Sequence, residues 1–408
     1  MSRGSVGQRS ETVRRANLSA ILRELHASGP LSRSELVART GLTRSAIRAL
    51  IGEFVAADLV REARADPLGA PGRPSPVVRL NPQRAFVIAL EIAVDSLAAA
   101  RVGLGGQVLD LRRVDRPRRH FAPEEIVADL ARLAAGLRQG RRADGDLMGV
   151  GVAVVGVARR SDGFVSTAPN LGWQNVPLGD RVRAALGSAA PISVANEADL
   201  GALAEARRGA ARGSDDVLFV SGEVGVGGGI IVDGKPMSGV AGYGGEVGHI
   251  AVNPDGRPCR CGSIGCWETE VGEGALLLRA GHPVDGGRAA VDAVLLEAAA
   301  GSSGTLDAME AIGHWLGIGL ASLVNVFNPR LIVLGGLFGR IHPFVRERLE
   351  AELDRRALPA SRELVRIVPA SLGVDAPLLG AAELAFEPLL ADPSHWLPPR
   401  DLLVLASA

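Results

Sequence analysis

The 408-residue chain is too long for one small domain, and 47% apolar residues leave ample material for a core. Its 45 basic and 45 acidic residues cancel, but residues 1–80 hold 13 arginines against 7 acids, so the N-terminal end is basic, as in proteins that meet nucleic acid. No apolar signal core opens the sequence and no run of about 18 uninterrupted apolar residues occurs, which argues against a membrane span and for a cytoplasmic chain.

From Asn17 to His26, apolar residues recur at Leu18, Ile21, Leu22 and Leu25, a helical spacing that Gly29-Pro30 ends. Ser32-Arg33-Ser34-Glu35 forms a capping box that opens a second helix, burying Leu36 and Val37 and stopping at Gly41. Thr43 caps a third helix, with Ile47, Leu50, Ile51 and Phe54 on one face and Arg44, Ser45 and Arg48 on the other. Three short helices with a tight glycine turn between the last two predict a helix-turn-helix. Arg44 and Arg48 could bond guanine bidentately, and Thr43 and Ser45 could bond phosphates or base edges. Leu59–Ala63 and Val77–Leu80 read as strands flanking a Gly/Pro-rich tip, Gly72-Arg73-Pro74. This is the form of a β-wing, with Arg73 suited to a narrow minor groove. Asn81-Pro82 marks a boundary, so residues 1–82 are expected to form a winged helix-turn-helix DNA-binding domain.

Beyond it, buried-strand runs are predicted at Ala85–Ala93, Leu97–Gly103 and Gln107–Val114, then a helix from Pro123 to Leu137 and a strand from Leu147 to Val155. A similar series starts near Asp216: strand Val217–Ser221, a turn over Gly225–Gly229, strand Ile230–Val232, helices, and strand Leu331–Leu334. The helix around Ala311–Phe327 reads as a core helix. Strands followed by helices, twice over, predict two α/β lobes with a cleft between them. Residues 83–390 would make this unit, its second lobe starting at about 216; the tail at 391–408 suggests no role.

All three cysteines lie between positions 259 and 266, an arrangement suited to a metal site. With His249 they supply four N/S ligands, Cys259, Cys261 and Cys266 among them, and glycines let the loop fold around an ion. Three thiolates and no open position predict structural Zn2+. The segment Gly242–Glu270, GYGGEVGHIAVNPDGRPCRCGSIGCWETE, closely resembles the signature of the ROK family of repressors and sugar kinases. The resemblance covers roughly residues 85–390 and implies an actin-like, hexokinase-like fold. It further implies that sugar hydroxyls are held by Glu246, His249, Glu268, Asn196 and position 197, with Gly156 close to the sugar. Dimers or tetramers are common in the family, so it also implies a homodimer or homotetramer.

The kinase pattern of the family is broken at three places. The base expected as Asp is Glu197, one methylene longer, a displacement of about an ångström that can cost roughly a hundredfold in rate. The first phosphate turn, Asp-x-Gly-Gly-Thr in kinases, reads Glu91-Ile92-Ala93-Val94-Asp95: both glycines are gone and an acid stands at the hydroxyl. The second reads Glu223-Val224-Gly225-Val226-Gly227-Gly228-Gly229, again with an acid and without the hydroxyl. Sugar-side residues kept and phosphate-side residues lost predict a transcriptional repressor that binds operator DNA, takes a sugar or sugar phosphate as effector, and is not an enzyme. Two other readings stay open: a sugar kinase with an appended DNA-binding head, and a regulator controlled by a protein partner.

Overall fold

The computed structural model describes residues 5–63, 76–137 and 145–398. The N-terminal unit starts with α1 (Ser5–Ser28), longer than the apolar periodicity predicts because its first turns are polar. Arg14, in that polar stretch, is ion-paired with Glu53. Then come β1 (Leu31–Ser32), α2 (Arg33–Thr40), α3 (Arg44–Ala56), β2 (Val60–Ala63) and β3 (Val77–Leu80). The capping box is formed: Glu35 N–H donates to Ser32 Oγ (3.2 Å) and Ser32 N–H donates to Glu35 Oε2 (2.7 Å). Thr43 Oγ1 caps α3 by accepting from Ala46 N–H (3.2 Å). β2 and β3 pair antiparallel with Val60 opposite Leu80, and β1 joins the other edge of β3. This is a winged helix. The wing tip, including Arg73, lies outside the described residues.

The first lobe contains β4 (Ala85–Ile92), β5 (Ser96–Gly103), β6 (Gln107–Asp115), α4 (Pro123–Gly136), β7 (Asp146–Val154), β8 (Val157–Ala158), β9 (Phe164–Ala168), β10 (Trp173–Pro177), α5 (Leu178–Leu186), β11 (Ile192–Asn196) and α6 (Glu197–Arg208). Its main sheet runs β11-β7-β4-β5-β6, with β11, β7 and β4 parallel and β5 and β6 antiparallel. Every residue of β4 and β5 is buried, without alternation, because both faces of the sheet are covered.

The second lobe follows as β12 (Val217–Gly222), β13 (Val226–Val232), β14 (Lys235–Pro236), α7 (Trp267–Val271), α8 (Glu273–Arg279), α9 (Gly287–Ala299), α10 (Ser303–Phe327), β15 (Leu331–Gly335), α11 (Gly336–Arg356), α12 (Pro359–Leu364) and β16 (Arg366–Pro369). Its sheet order is β14-β13-β12-β15-β16. α10 is apolar enough by composition to span a membrane, but half of its most apolar stretch is buried, and it packs against α11 as a core helix.

Two expectations need correction. The glycines of 225–229 were expected in a turn, but β13 begins at Val226 and the run is strand. A Cβ on Gly227 would come within 2.7 Å of Ala198 Cβ, and one on Gly229 within 2.5 Å of Ala198 O, so these glycines let the strand press against α6. The lobes are also not consecutive. α13 (Ala376–Ala391) leaves the second lobe and packs on α6, β7 and β4 of the first.

The winged helix is built into this packing. Leu18, Ile21, Leu22 and Leu25 of α1 share one continuous core with Phe386, Leu389 and Leu390 of α13. Ser19 Oγ donates to Leu390 O (2.6 Å), and Arg23 pairs with Glu387 (2.8 Å). Part of the tail has a place too: the 3-10 turn Pro393–Trp396 rests against α1, and Asp392 lies 3.5 Å from Arg15. Residues 399–408 lie outside the described residues.

Candidate ligand cleft and metal cluster

A cavity of about 600 Å³ opens between the lobes, and all six residues expected at a sugar, Gly156, Asn196, Glu197, Glu246, His249 and Glu268, line it. Asn196 comes from the end of β11 and Gly156 from the loop after β7, Glu197 starts α6, Glu246 precedes and His249 ends a 3-10 turn, and Glu268 lies on α7. Asn196 ends β11 and caps α6: Ala198 N–H donates to its Oδ1 (2.7 Å) and its Nδ2 donates to Gly156 O (3.0 Å). Its amide thus fixes the start of α6 and the Gly156 loop. Gly156 has φ +124, and a Cβ there would lie 2.6 Å from Ala168 Cβ, so contact with β9 already demands glycine.

Glu197 follows as the first residue of α6. The enclosure of the cleft, then the charges of Glu223, Glu91, Asp95 and Glu246, push its carboxyl up to about 8. Burial likewise raises Glu246, with Glu268 adding to the shift and His249 opposing it. Glu268 sits on α7, where its Oε2 accepts from Val226 N–H (3.2 Å) and ties that helix to the start of β13.

Below the cleft, ligand atoms of His249, Cys259, Cys261 and Cys266 lie within 4.8 Å of one another. Cys259 Sγ is 3.8 Å from His249 Nδ1, and Cys261 Sγ is 3.6 Å from Cys266 Sγ. A tetrahedral ion with bonds of about 2.3 Å separates its ligands by roughly 3.8 Å, so the four residues fit such an ion. Bridges at Ala251–Cys266 and Pro258–Ile264 fold the loop into this shape.

The phosphate half of the cleft holds residues that the sequence reading did not single out. Asp95, in the turn after β4, bonds Arg118 (2.9 Å) and Arg288 of α9 (2.8 Å). Arg118 also bonds Glu273 of α8 (3.0 Å), so the pairs cross from lobe to lobe. Arg113 bonds Glu91 (2.9 Å) and Asp375 (3.0 Å). Burial still raises the Glu91 carboxyl despite Arg113, and it pushes Glu223 up to about 7. No local motif flags Arg113, Arg118, Arg288 or Glu273, because their pairing joins distant segments. On the winged helix, Thr43, Arg44, Ser45 and Arg48 are all exposed at the free start and outer face of α3.

The ROK family model matches residues 87–387, and the MarR family model matches residues 19–67. The chain is 28% identical over 381 residues to the xylose repressor of Bacillus spizizenii, covering 93% of this chain and 97% of that protein. It is 31% identical over 320 residues to the glucokinase of Streptomyces coelicolor, covering 74% and 98%. Among solved structures, a ROK family transcriptional regulator, a homolog of the E. coli MLC protein, superposes with a TM-score of 0.77 at 25% identity, covering 96% of this chain and 98% of its own. A ROK family glucokinase from Streptomyces griseus, in complex with glucose and AMPPNP, gives 0.64 at 30% identity, covering 73% and 98%. The repressor-type matches run nearly end to end, whereas the kinase-type matches leave about a quarter of this chain uncovered. With a model spanning most of its length and its signature intact, this chain belongs to the ROK family.

Proposed function

We propose that the protein is a DNA-binding repressor whose cleft takes a sugar as effector and does not phosphorylate it. The observation that carries this reading is a winged helix fused through a shared core to a sugar-kinase fold whose phosphate turns carry acids. The likeness to xylose repressors along nearly the whole chain supports it. Residues 1–82 would be the reading head and 83–390 the sensor, working in the cytoplasm. Thr43, Arg44, Ser45 and Arg48 would enter the major groove and Arg73 the minor groove. Two heads in a homodimer or homotetramer would meet a two-fold operator.

In the cleft, Glu246, Glu268 and Glu197 would accept from sugar hydroxyls. Zn2+ would be held by His249 Nδ1, Cys259, Cys261 and Cys266, supplying a fixed tetrahedral anchor for the loop. The second ring nitrogen of His249 would then remain for the ligand. α6 links the two ends of this device. It starts at Asn196 and Glu197 in the cleft and ends at Arg208, which bonds Glu383 of α13 (2.5 Å). Glu383 in turn accepts from His26 of α1 (3.0 Å). A sugar that binds the two lobe arrangements with different affinity would shift the head through this rod.

The test has two arms. DNA fragments selected from the source genome by the full-length protein should be released by one sugar of a panel. ADP release in the presence of ATP and that sugar should stay at background. Turnover of ATP dependent on the sugar would put the kinase reading first.

A further inference from the structure

Six carboxylate residues line the cleft (Glu91, Asp95, Glu197, Glu223, Glu246 and Glu268) against four arginines. Their distribution matters more than their number. The three arginines of the phosphate half, Arg113, Arg118 and Arg288, are already bonded to the chain's own acids, at 2.8–3.0 Å. The fourth, Arg260, bonds Asn170 (2.8 Å) on the side of the metal loop. No guanidinium lining the described cleft stands without a partner. Three acids, Glu197, Glu223 and Glu246, show no side-chain hydrogen bond or ion pair among the described residues.

Glu223 has a particular position. A Cβ on Gly336, the first residue of α11, would lie 2.5 Å from Glu223 Oε1. The carboxylate therefore covers the start of a 21-residue helix, where backbone N–H groups and the helix dipole favour an anion. Asp95 occupies the turn after β4, where it is clamped by a guanidinium from each lobe. The chain thus places its own acids at both turns of the fold that cradle phosphate in a kinase.

We propose that the effector of this cleft is an uncharged sugar, and that Asp95 and Glu223 exclude sugar phosphates from it. This inference rests on the sensor reading above and narrows its ligand class. A phosphate dianion would enter a low-dielectric space lined by unpaired acids, where every nearby guanidinium is already bonded. The raised carboxyls of Glu197 and Glu223, due first to burial and then to their acidic neighbours, agree with an electronegative cavity. Neutral hydroxyls meet no such barrier, because carboxylates accept from them.

The test is isothermal titration of the full-length protein with D-xylose, D-glucose, N-acetyl-D-glucosamine and the 6-phosphates of the last two. We expect at least one neutral sugar to bind, and the 6-phosphates to bind on the order of a hundredfold more weakly than the best neutral sugar, or not at all. Glu223→Gln removes an unpaired acid without breaking any ion pair, and should narrow that gap at least tenfold while leaving neutral sugar affinity unchanged. Asp95→Asn in the same background should narrow it further. A 6-phosphate that binds the unaltered protein as tightly as any neutral sugar overturns the inference but leaves the sensor reading standing. Rejection of phosphates that persists unchanged in the folded double variant also overturns it, since the exclusion would then lie elsewhere. If no sugar of either kind binds, the sensor reading itself fails, and this inference fails with it.

Discussion

Replacing Glu383 by glutamine should loosen the head from the sensor. Glu383 is 3% exposed on α13 and bonds His26 at 3.0 Å and Arg208 at 2.5 Å. Gly105 N–H donates to His26 Nδ1 (3.0 Å), and His26 Nε2 sits between Glu383 Oε2 (3.0 Å) and the Arg208 guanidinium (2.8 Å). The amide keeps the shape but removes the charge and leaves Arg208 without its carboxylate. Breaking a buried pair from one side costs about 3–5 kcal/mol, and the contacts left to Arg208, with Gly105 O (2.7 Å) and His26 Nε2 (2.8 Å), argue for the lower end. In a chain of 408 residues about 3 kcal/mol corresponds to a fall of roughly 3–4 °C in the melting midpoint, read by calorimetry. The pair at Arg23 and Glu387, both about one-third exposed, is the control: Glu387→Gln should cost less than about 1 kcal/mol. Sugar-driven release of DNA should also weaken in Glu383→Gln, while sugar affinity changes less. Burial raises the Glu383 carboxyl, but the bond from His26 and the charge of Arg208 bring it below its ordinary value. Its contribution is therefore complete at neutral pH and is lost only as pH falls through that depressed value. A variant that melts with the unaltered protein and releases DNA as readily would refute the role given to this cluster.

Chelation of the proposed zinc, or Cys261→Ser, should lower the melting midpoint by on the order of 10 °C and abolish sugar binding, since the loop carries His249 and leads into Glu268. Stoichiometric loss of zinc with no change in midpoint would count against the site. Glu197 is raised from its ordinary 4.5 to about 8, so the folded state holds its proton more tightly than the unfolded one. On this account stability declines as pH rises between those values, and Glu197→Gln should flatten the slope measured by denaturant titration between pH 6 and 8; an unchanged slope would dismiss the effect. Arg48→Ala, at an exposed position on α3, should weaken DNA binding by about 1–3 kcal/mol in a fluorescence anisotropy titration without altering sugar affinity. Unaltered DNA binding would remove Arg48 from the interface.

What the sequence discloses here is what local chemistry encodes. Ser32 and Glu35 can cap only one way, and Thr43 likewise, so both helix starts are read directly. The His249, Cys259, Cys261 and Cys266 quartet and the cleft acids lie in short runs whose residue types bring them to notice. Other features depend on pairings over long separations. Arg118 meets Glu273 and Glu383 meets His26, and nothing near any of them in the chain announces it. The return of α13 to the first lobe is hidden for the same reason, since its apolar texture suits either lobe. The glycines of β13 resemble a phosphate turn because close packing on α6 and a phosphate cradle both require the absence of a Cβ.

The core shared by α1 and α13 has a consequence for how an operator would sense the ligand. A head on a slack tether samples many orientations, and a ligand could act on it only by changing its reach. Here Leu18, Ile21, Leu22 and Leu25 would be stripped of cover if the head swung free, so head and first lobe move as one body. In a dimer, the variable left to regulation would be the angle between two such bodies. A small rotation at the cleft would then be magnified by the length of the lever into a mismatch with the helical repeat of DNA, and the number of base pairs between half-sites would become the quantity that the ligand tunes.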